Sequence, residues 1–333
     1  MPDKKNVLNE LTILIPTYNT GEKIYRTLEN ILGFFNIIIV DDGSTDNTVS
    51  ILNAIKQTYI GEKAFEIYFN EENQGLAENR NILIKKVKTS YFTFLDAGDV
   101  LIVENIIKIV EKSVCCNKNI DLIFMDFIDI SEEFYIKNKN NVKKISKLNS
   151  KYRLDFCGKG ENYFCKSVIA KKQIDSACGI IYNTNFVKKK HFNYLKGYVH
   201  EDFGVTPYII LSAENVFSQS IPGYLYLREK VSITANGSNY KHFLNANHAV
   251  INAKRLMKNV WELRENKNIN KKSFKIFNSY IANALIPKIQ KLNGDYKKKY
   301  IELLNEMNIE DMYLKNLKGL AKKIIYKYKY RYK

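Results

Sequence analysis

The sequence predicts an α/β fold in which a mainly parallel sheet is flanked by helices and followed by a C-terminal helical region. Two observations support this prediction. Strand-like and helix-like segments alternate over about the first 130 residues, which is typical of βαβ crossovers. From about residue 240 onward, apolar residues recur at a three-to-four spacing, which indicates helices alone. We therefore expect two regions, residues 1–235 and 236–333.

Short apolar runs mark the expected strands, and amphipathic spacing marks the helices between them. In the first region the strands are expected at 11–16, 37–40, 65–69, 91–95 and 121–128, and the helices at 22–32, 48–59, 74–87 and 103–115. Asn73 is expected to cap the third of these helices. A Lys/Asn-rich segment at 131–172 has little periodicity, and we expect it to be a loop or an insertion over the site.

Shorter elements are expected after that segment. They are a strand at 177–182, a helix at 184–190, a helix at 201–211, a strand at 223–227, and helices at 243–263, 274–289 and 300–304. The region boundary near residue 235 is placed where strand signals end and helical spacing begins.

The composition favours a globular protein with anionic partners. Of the 333 residues, 45% are hydrophobic, which is enough for a substantial core. The net charge of +17 favours nucleotide phosphates, anionic lipid or nucleic acid as partners. Five cysteines without a C-x-x-C pair predict reduced thiols in a cytosolic protein. The polar first residues predict no signal peptide, and apolar runs of about seven residues are too short to span a bilayer.

Acidic side chains follow two of the predicted strands directly. Asp41 and Asp42 end the second strand, and Asp96 and Asp99 follow the fourth. Open α/β sheets bind ligands at the carboxyl ends of their strands. This placement predicts a site for a nucleotide, a metal ion or both. The alternatives are a cap for the next helix at the first pair and a solvated turn at the second.

Three further segments carry candidate site residues. Gly75 lets the backbone approach a ligand closely, and Arg80, two turns into the same helix, can reach a pyrophosphate or pair with a site carboxylate. The alternative is an ordinary capped surface helix. His200, Glu201 and Asp202 either complement a helix dipole or supply a general base. No G-x-x-x-x-G-K-[ST] or G-x-G-x-x-G motif is present, which argues against a kinase or a dehydrogenase.

In order along the chain, these segments resemble the signatures of the family 2 glycosyltransferases. The matching stretches read ILIPTYN, VDDGSTDNT, NQGLAENRN, FLDAGD, HED and YLYLREKVSIT, and they span roughly residues 10 to 235. The resemblance implies the GT-A fold, a bacterial surface-glycan role, and inverting transfer of a hexosyl or N-acetylhexosaminyl group. The donor is expected to be a nucleotide-sugar, in particular a UDP-sugar. The acceptor is expected to be a glycan, a lipid-linked saccharide or a wall or capsule polymer.

The resemblance also implies roles for single residues. The residues expected to bind the donor and its nucleotide are Pro16, Tyr18, Asp42, Asn73, Gly75, Arg80, Asp96, Arg228 and Ser232. Asp202 is expected to deprotonate the acceptor hydroxyl, and Asp41, His200 and Glu201 are secondary candidates.

One departure from the family pattern concerns the metal. The family commonly has a further acid where this chain has Gly98. The resemblance still implies Mg²⁺ or Mn²⁺, held by Asp96 and Asp99. Two alternatives follow from the missing acid: Asp99 takes over coordination, directly or through water, or metal binding is weaker.

The last residues of the chain are strongly basic. Residues 312–333 contain eight Lys or Arg and no acid, and Leu317, Leu320, Ile324 and Tyr328 share one helical face. Such a tail predicts peripheral binding to an anionic membrane, on the inner face of the cytoplasmic membrane. The alternative is a terminal helix docked on the protein. Two other functions are also considered: a nucleic-acid-binding protein, and a catalytically weak glycosyltransferase-like partner subunit.

Overall fold

The first four strands and the three helices between them form successive parallel βαβ units. The computed structural model describes residues 8–114, 116, 119–139, 145, 148, 152–228 and 238–307. The first elements are β1 (Leu11–Thr17), α1 (Lys23–Glu29), β2 (Asn36–Asp41), α2 (Thr48–Thr58), β3 (Phe65–Phe69), α3 (Leu76–Lys86) and β4 (Tyr91–Phe94). The four strands are parallel, in the order β3-β2-β1-β4.

The second half of the sheet is mixed. Its elements are β5 (Val100–Leu101), α4 (Val103–Val114), β6 (Leu122–Ser131), α5 (Glu132–Asn138), β7 (Phe156–Gly158), α6 (Gly160–Ile169), β8 (Ile180–Asn183), α7 (Thr184–Lys189), α8 (Thr206–Ser212) and β9 (Val216–Arg228). Strand β8 lies antiparallel between β4 and β6, and β9 is parallel to β6 but antiparallel to β5 and β7. Within the described residues, nine strands form one sheet, which confirms the predicted fold class.

The apolar composition of the central strands follows from their burial. Every residue of β1 is buried, and so are the last five of β2. Ile13 pairs with Ile37 on one side and with Thr93 on the other. A strand with helices over both faces of the sheet has no solvent-facing side, so its sequence is a continuous apolar run rather than an alternation. The carboxyl ends of β1, β2 and β4 therefore meet at one edge.

The described parts of the segment 131–172 contain more regular structure than the sequence predicts. The structure places α5, β7 and α6 there. Helix α6 buries Tyr163 and Phe164 in the main core. At its start, the Gly160 nitrogen donates to the Ala213 carbonyl at 2.9 Å, and a Cβ on Gly160 would lie 1.8 Å from the Ile210 oxygen. This order depends on contacts distant in the chain, which local periodicity does not reveal.

The described C-terminal elements are helical, as predicted. They are α9 (Asn239–Glu265), α10 (Lys271–Leu285), a 3-10 helix (Ile286–Lys291) and α11 (Gly294–Glu306). Ser238 caps α9 and Asn270 caps α10 through their side-chain oxygens. Helix α9 packs against α8, α10 and α11, so these helices share the main core with the sheet. Among the described helices, none is long and apolar enough to cross a bilayer.

Candidate active site

Asp42 organises the turn that leads into α3. Its carboxylate accepts hydrogen bonds from the Gln74 and Gly75 amides, both at 2.8 Å, and from Asn70 Nδ2 at 2.9 Å. Asp42 is only 1% exposed. The capping residue of α3 is Gly75, with φ +89°, so the prediction of a cap at Asn73 is wrong. The structure thus gives Asp42 a role in shaping the pocket edge, and its direct contact with a nucleoside stays a prediction.

The ends of β1 and β2 are tied together around Asp41. The Asp41 carboxylate accepts from the Ser44 amide at 2.9 Å and from its hydroxyl at 2.6 Å. The Asn19 amide in turn donates to Ser44 Oγ at 2.8 Å. Pro16 is buried within β1, whereas Tyr18 is 47% exposed at the rim. Tyr18 is therefore accessible to a ligand at this edge.

Arg80 bridges two predicted parts of the site. Its Nη2 lies 2.9 Å from Asp96 Oδ1, and its Nη1 lies 2.5 Å from Glu201 Oε1. The guanidinium lies against the rings of Phe94 and Tyr194, at 5.5 and 5.7 Å from their centroids. Burial lowers the pKa of Arg80, but Asp96 and Glu201 outweigh that effect and hold it well above its usual value. Of the two predicted alternatives, the structure shows the pairing with site carboxylates.

Asp96 and Asp99 have different environments. The Asp96 side chain is 41% exposed. Asp99 is buried, and its two oxygens accept from the Tyr224 hydroxyl at 2.7 Å and the Leu227 amide at 3.0 Å. Burial and the neighbouring Asp96 raise the pKa of Asp99 to about 7. Asp99 thus anchors β9.

These environments bear on the predicted metal site. An exposed carboxylate such as that of Asp96 suits a hard divalent cation, which takes oxygen ligands from protein and phosphate together. Asp99 in this arrangement does not suit one, because its carboxylate is buried and already anchors Tyr224 and Leu227. Within the described ranges, no group of three or more His, Cys, Asp or Glu side chains is placed to hold a metal ion. A cation here would therefore depend on Asp96 and on oxygens brought by a ligand.

The His200-Glu201-Asp202 segment forms a tight turn before a helix, not the start of one as predicted. Helix α8 begins at Thr206, and His200 has a left-handed φ of +62°. The Asp202 carboxylate accepts from the Phe203 amide at 2.8 Å. Burial, with the charges of Glu201 and Asp175, raises the pKa of Asp202 above its usual value.

His200 is neutral at physiological pH. Burial lowers its pKa to about 4, and the nearby Lys288 and His248 contribute to this shift. A proton acceptor with a raised pKa, such as Asp202, is suited to general-base chemistry near neutral pH.

The structure brings some of the predicted residues together and leaves others apart. Arg80, Asp96, Glu201 and Asp202 come together in one connected cluster. Arg228 lies apart from this cluster, with its exposed side chain pairing with Asp129. Ser232 lies outside the described residues.

Several residues of this centre were not predicted from the sequence. Tyr194 packs on Arg80, and Tyr224 joins the Asp96 amide to the Asp99 carboxylate. Asp175 and Tyr280 are electrostatic neighbours of Asp202, and Asn252 holds its turn. These residues belong to no short motif, and only tertiary packing reveals them.

Comparisons with known proteins bear on the family and the fold of this chain. Residues 12–174 match the model of glycosyl transferase family 2. A teichoic acid poly(glycerol phosphate) polymerase of Staphylococcus epidermidis is 41% identical over 98 residues, which is 28% of this chain and 13% of that protein. The poly(ribitol-phosphate) beta-N-acetylglucosaminyltransferase TarP of Staphylococcus aureus is 36% identical over 28% of this chain and 30% of its own length. The glycosyltransferase GlyG of Streptococcus pneumoniae is 25% identical over 67% of this chain and 72% of its own.

Solved structures share the fold. TarS 1-349 of S. aureus, crystallised with UDP-GlcNAc, has a TM-score of 0.53 and 16% identity over 91% of this chain and 89% of its own. The mannosyltransferase PcManGT of Pyrobaculum calidifontis, in complex with GDP-Man and Mn²⁺, has a TM-score of 0.53 and 13% identity over 92% of this chain and 77% of its own. At these identities the likeness shows the fold alone, which is of the GT-A type.

Proposed function

We propose that this chain, whose residues 12–174 match glycosyl transferase family 2, is an enzyme that transfers a sugar from a nucleotide-sugar donor, with inversion, to a hydroxyl of a surface-glycan acceptor. The main support for this proposal is the position of Arg80. Arg80 ties Asp96, after β4, to Glu201, beside Asp202. Asp96, on the donor side, is thereby linked through Arg80 to Glu201, the residue next to the candidate base Asp202.

The donor lies at the edge formed by the ends of β1, β2 and β4. Open α/β sheets bind ligands at this edge, where Tyr18 is exposed and the turn held by Asp42 forms one wall. A UDP-sugar is the donor we propose, since the structural neighbour TarS was crystallised with UDP-GlcNAc. Gly75 lets the backbone approach the phosphates closely, because it has no side chain.

Chemistry on the acceptor belongs to Asp202. Its carboxylate takes the proton of the acceptor hydroxyl while that oxygen attacks the anomeric carbon. The bond from the sugar to the diphosphate breaks, and the nucleoside diphosphate leaves with the electron pair. A raised pKa makes the Asp202 carboxylate a stronger proton acceptor near neutral pH. In this scheme Arg80 stabilises the cluster and does not contact the phosphates, because two protein carboxylates already hold it.

A divalent cation, Mg²⁺ or Mn²⁺, is the cofactor we propose, with Asp96 as its protein ligand. When bound, such a cation neutralises negative charge on the leaving diphosphate. The chain's own contribution is the half-exposed Asp96 carboxylate, oriented by its bond to Arg80. Asp99 is not needed as a direct ligand in this proposal, because it anchors β9 through Leu227 and Tyr224.

The acceptor we propose is a wall or surface polymer, or its lipid-linked precursor. Two relatives are named for poly(glycerol phosphate) and poly(ribitol-phosphate) chemistry. A net charge of +17 suits a polyanionic acceptor and an anionic membrane alike. We place the enzyme at the inner face of the cytoplasmic membrane, held there by the basic residues 312–333, which lie outside the described residues.

Nucleotide binding and donor hydrolysis test this function. We expect UDP with Mn²⁺ to raise the melting temperature of the full chain, and duplex DNA to leave it unchanged. A panel of UDP-, GDP- and TDP-sugars, each incubated with the enzyme and Mn²⁺, should include one donor that is hydrolysed. Stabilisation by DNA alone, with no donor hydrolysed, would contradict the proposal and favour nucleic-acid binding.

A further inference from the structure

The turn that carries Asp202 lies directly against helix α9. Asn252 Nδ2 donates to the Val199 carbonyl at 3.0 Å. One turn earlier in the helix, His248 Nδ1 accepts from the Val199 amide at 3.3 Å, and its ring lies 5.1 Å from that of Tyr198. Both backbone polar groups of Val199 are therefore bound by α9.

The same asparagine also touches the far side of the turn. A Cβ on Gly204 would lie 2.6 Å from Asn252 Oδ1 and 3.0 Å from its Cβ, closer than any ordinary contact. Asn252 is 1% exposed, so its side chain is fixed by its surroundings. The buried side chain of Asn252 thus contacts Val199 and Gly204, the residues that precede and follow the segment 200–203.

We propose that Asn252 is a positioning residue for the base Asp202, so that the C-terminal helices complete the catalytic centre. This inference depends on the proposed function, because it takes Asp202 as the base. Asn252 lies far beyond residues 12–174, where the family model matches.

The backbone of the turn explains why outside support is needed. His200 has a φ of +62°, a conformation that non-glycine residues adopt at a cost. Such a turn persists only where its surroundings hold it. The contacts of Asn252 with Val199 and Gly204 supply that restraint, and the ring of Phe203 packs at 5.8 Å from that of Tyr280 on α10.

The groups that face Asp202 come from several elements. They are Glu201, Arg80, Asp175, Tyr194 and Tyr280. If the turn loosens, water reaches the carboxylate and its pKa returns toward the usual value. A disturbance of the turn therefore changes the pH profile of the reaction, whereas a loss of stability elsewhere does not.

Substitution of Asn252 tests the proposal. For Asn252→Ala, we expect kcat for donor hydrolysis to fall about tenfold or more, since small displacements of a catalytic group are costly. The donor KM should stay unchanged, and the acid limb of the pH–rate profile should move to lower pH. Asn259→Ala makes the same change two turns along α9 and should match the wild type in kcat and in pH profile.

A second variant tests the contact between Gly204 and Asn252 by changing Gly204. Gly204→Ala introduces the Cβ that meets Asn252, so we expect it to lower kcat on its own. In the Asn252→Ala background the 2.6 Å approach to Oδ1 is removed and only the 3.0 Å approach to the retained Cβ remains, so Gly204→Ala should cost much less. Strict additivity of the two changes would overturn the assigned contact.

Hydrogen exchange provides a readout that does not depend on activity. The amides of Gly204, Val205 and Thr206 donate within the turn, to Glu201 and Asp202 oxygens. We expect them to exchange faster in Asn252→Ala and at the wild-type rate in Asn259→Ala. Unchanged exchange in Asn252→Ala, or a kcat within twofold of the wild type, overturns the inference. An inactive Asp202→Asn beside a normal Asn252→Ala would leave the proposed function standing and remove only this role.

Discussion

At Arg80 a buried guanidinium is balanced by two carboxylates from different parts of the chain. Asp96 follows β4, and Glu201 lies 121 residues away from Arg80 in the sequence. A buried charge without its partner is strongly destabilising, so each of the three groups depends on the others. The two aromatic rings beside the guanidinium exclude water from it. The two ion pairs of Arg80 therefore hold the end of β4, at Asp96, close to the turn that carries Glu201 and Asp202.

Replacing Arg80 should destabilise the whole protein. For Arg80→Met we expect a loss of about 3–5 kcal/mol in the free energy of unfolding, because Glu201 stays buried without its cation. Arg228→Met is the matched control. Arg228 also pairs with an aspartate, but its side chain is exposed, and we expect little or no change. Denaturant unfolding of both variants checks the contrast, and equal losses would contradict it.

The pH dependence of the reaction should report the environment of Asp202. A base works only when deprotonated, and burial raises the pKa of this carboxyl. The rate should therefore fall as pH falls through that raised pKa, at a pH well above the usual range of aspartate. The measurement is kcat against pH at saturating donor. An acid limb near pH 4 would show that Asp202 is not the titrating base.

At the scale of elements, the site is built from strand ends and the turns that follow them. The Asp42 carboxylate links the end of β2 to the start of α3, and the Asp41 carboxylate orders the turn before α2. Gly43, with φ +69°, lies so close to the backbone of Glu72 that a Cβ would come within 3.0 Å. Neighbouring turns thus support each other around one edge of the sheet.

Loss of the Asp42 carboxylate should loosen the start of α3. In Asp42→Ala the amides of Gln74 and Gly75 lose their acceptor, and a buried unsatisfied group costs about 1–3 kcal/mol. We expect a lower melting temperature together with a higher donor KM. The control is Asp46→Ala, whose exposed carboxylate accepts from the Thr48 amide. If both variants behaved alike, Asp42 would have no special role in shaping the pocket.

Local sequence predicted the elements near this edge better than those farther away. Strands β1 to β4 were confirmed to within a few residues, because their apolar runs and the acids after them are local signals. The turn at Asp202 was predicted as a helix, since Glu201–Asp202 suits a helix start and the left-handed His200 has no sequence signature. Pairing of Arg80 with a site carboxylate was one of the predicted alternatives, but the sequence did not identify Glu201 as the partner. Choosing between the alternatives required the distance between residues far apart in the chain.

For the whole molecule, the C-terminal helices share a core with the sheet. Residues from α9, α10 and α11 belong to the same hydrophobic cluster as β1, β4 and β6. The sequence placed a boundary near residue 235, and that boundary stays a prediction. Helical periodicity predicted α9 to α11, but it did not indicate that they pack beside the candidate base.

The basic tail should govern membrane binding. We expect the full chain to sediment with vesicles containing anionic lipid, and a chain ending at Lys315 to bind them much less, because it lacks the last seven of the eight basic residues. Neutral vesicles serve as the control and should bind neither form. Equal binding of the two forms to anionic vesicles would exclude the tail as the anchor.

The central claim is that Asp202 is the base of a nucleotide-sugar-dependent transferase. The most direct test compares wild type and Asp202→Asn for turnover of the donor found by the nucleotide-sugar panel, with UDP-induced thermal stabilisation measured on both. We predict a loss of turnover of about 10²-fold or more with the stabilisation largely kept, since Asn has the same shape but cannot take the proton. Asp295→Asn, an exposed acid on α11, should behave as wild type. Near-normal turnover in Asp202→Asn would contradict the account.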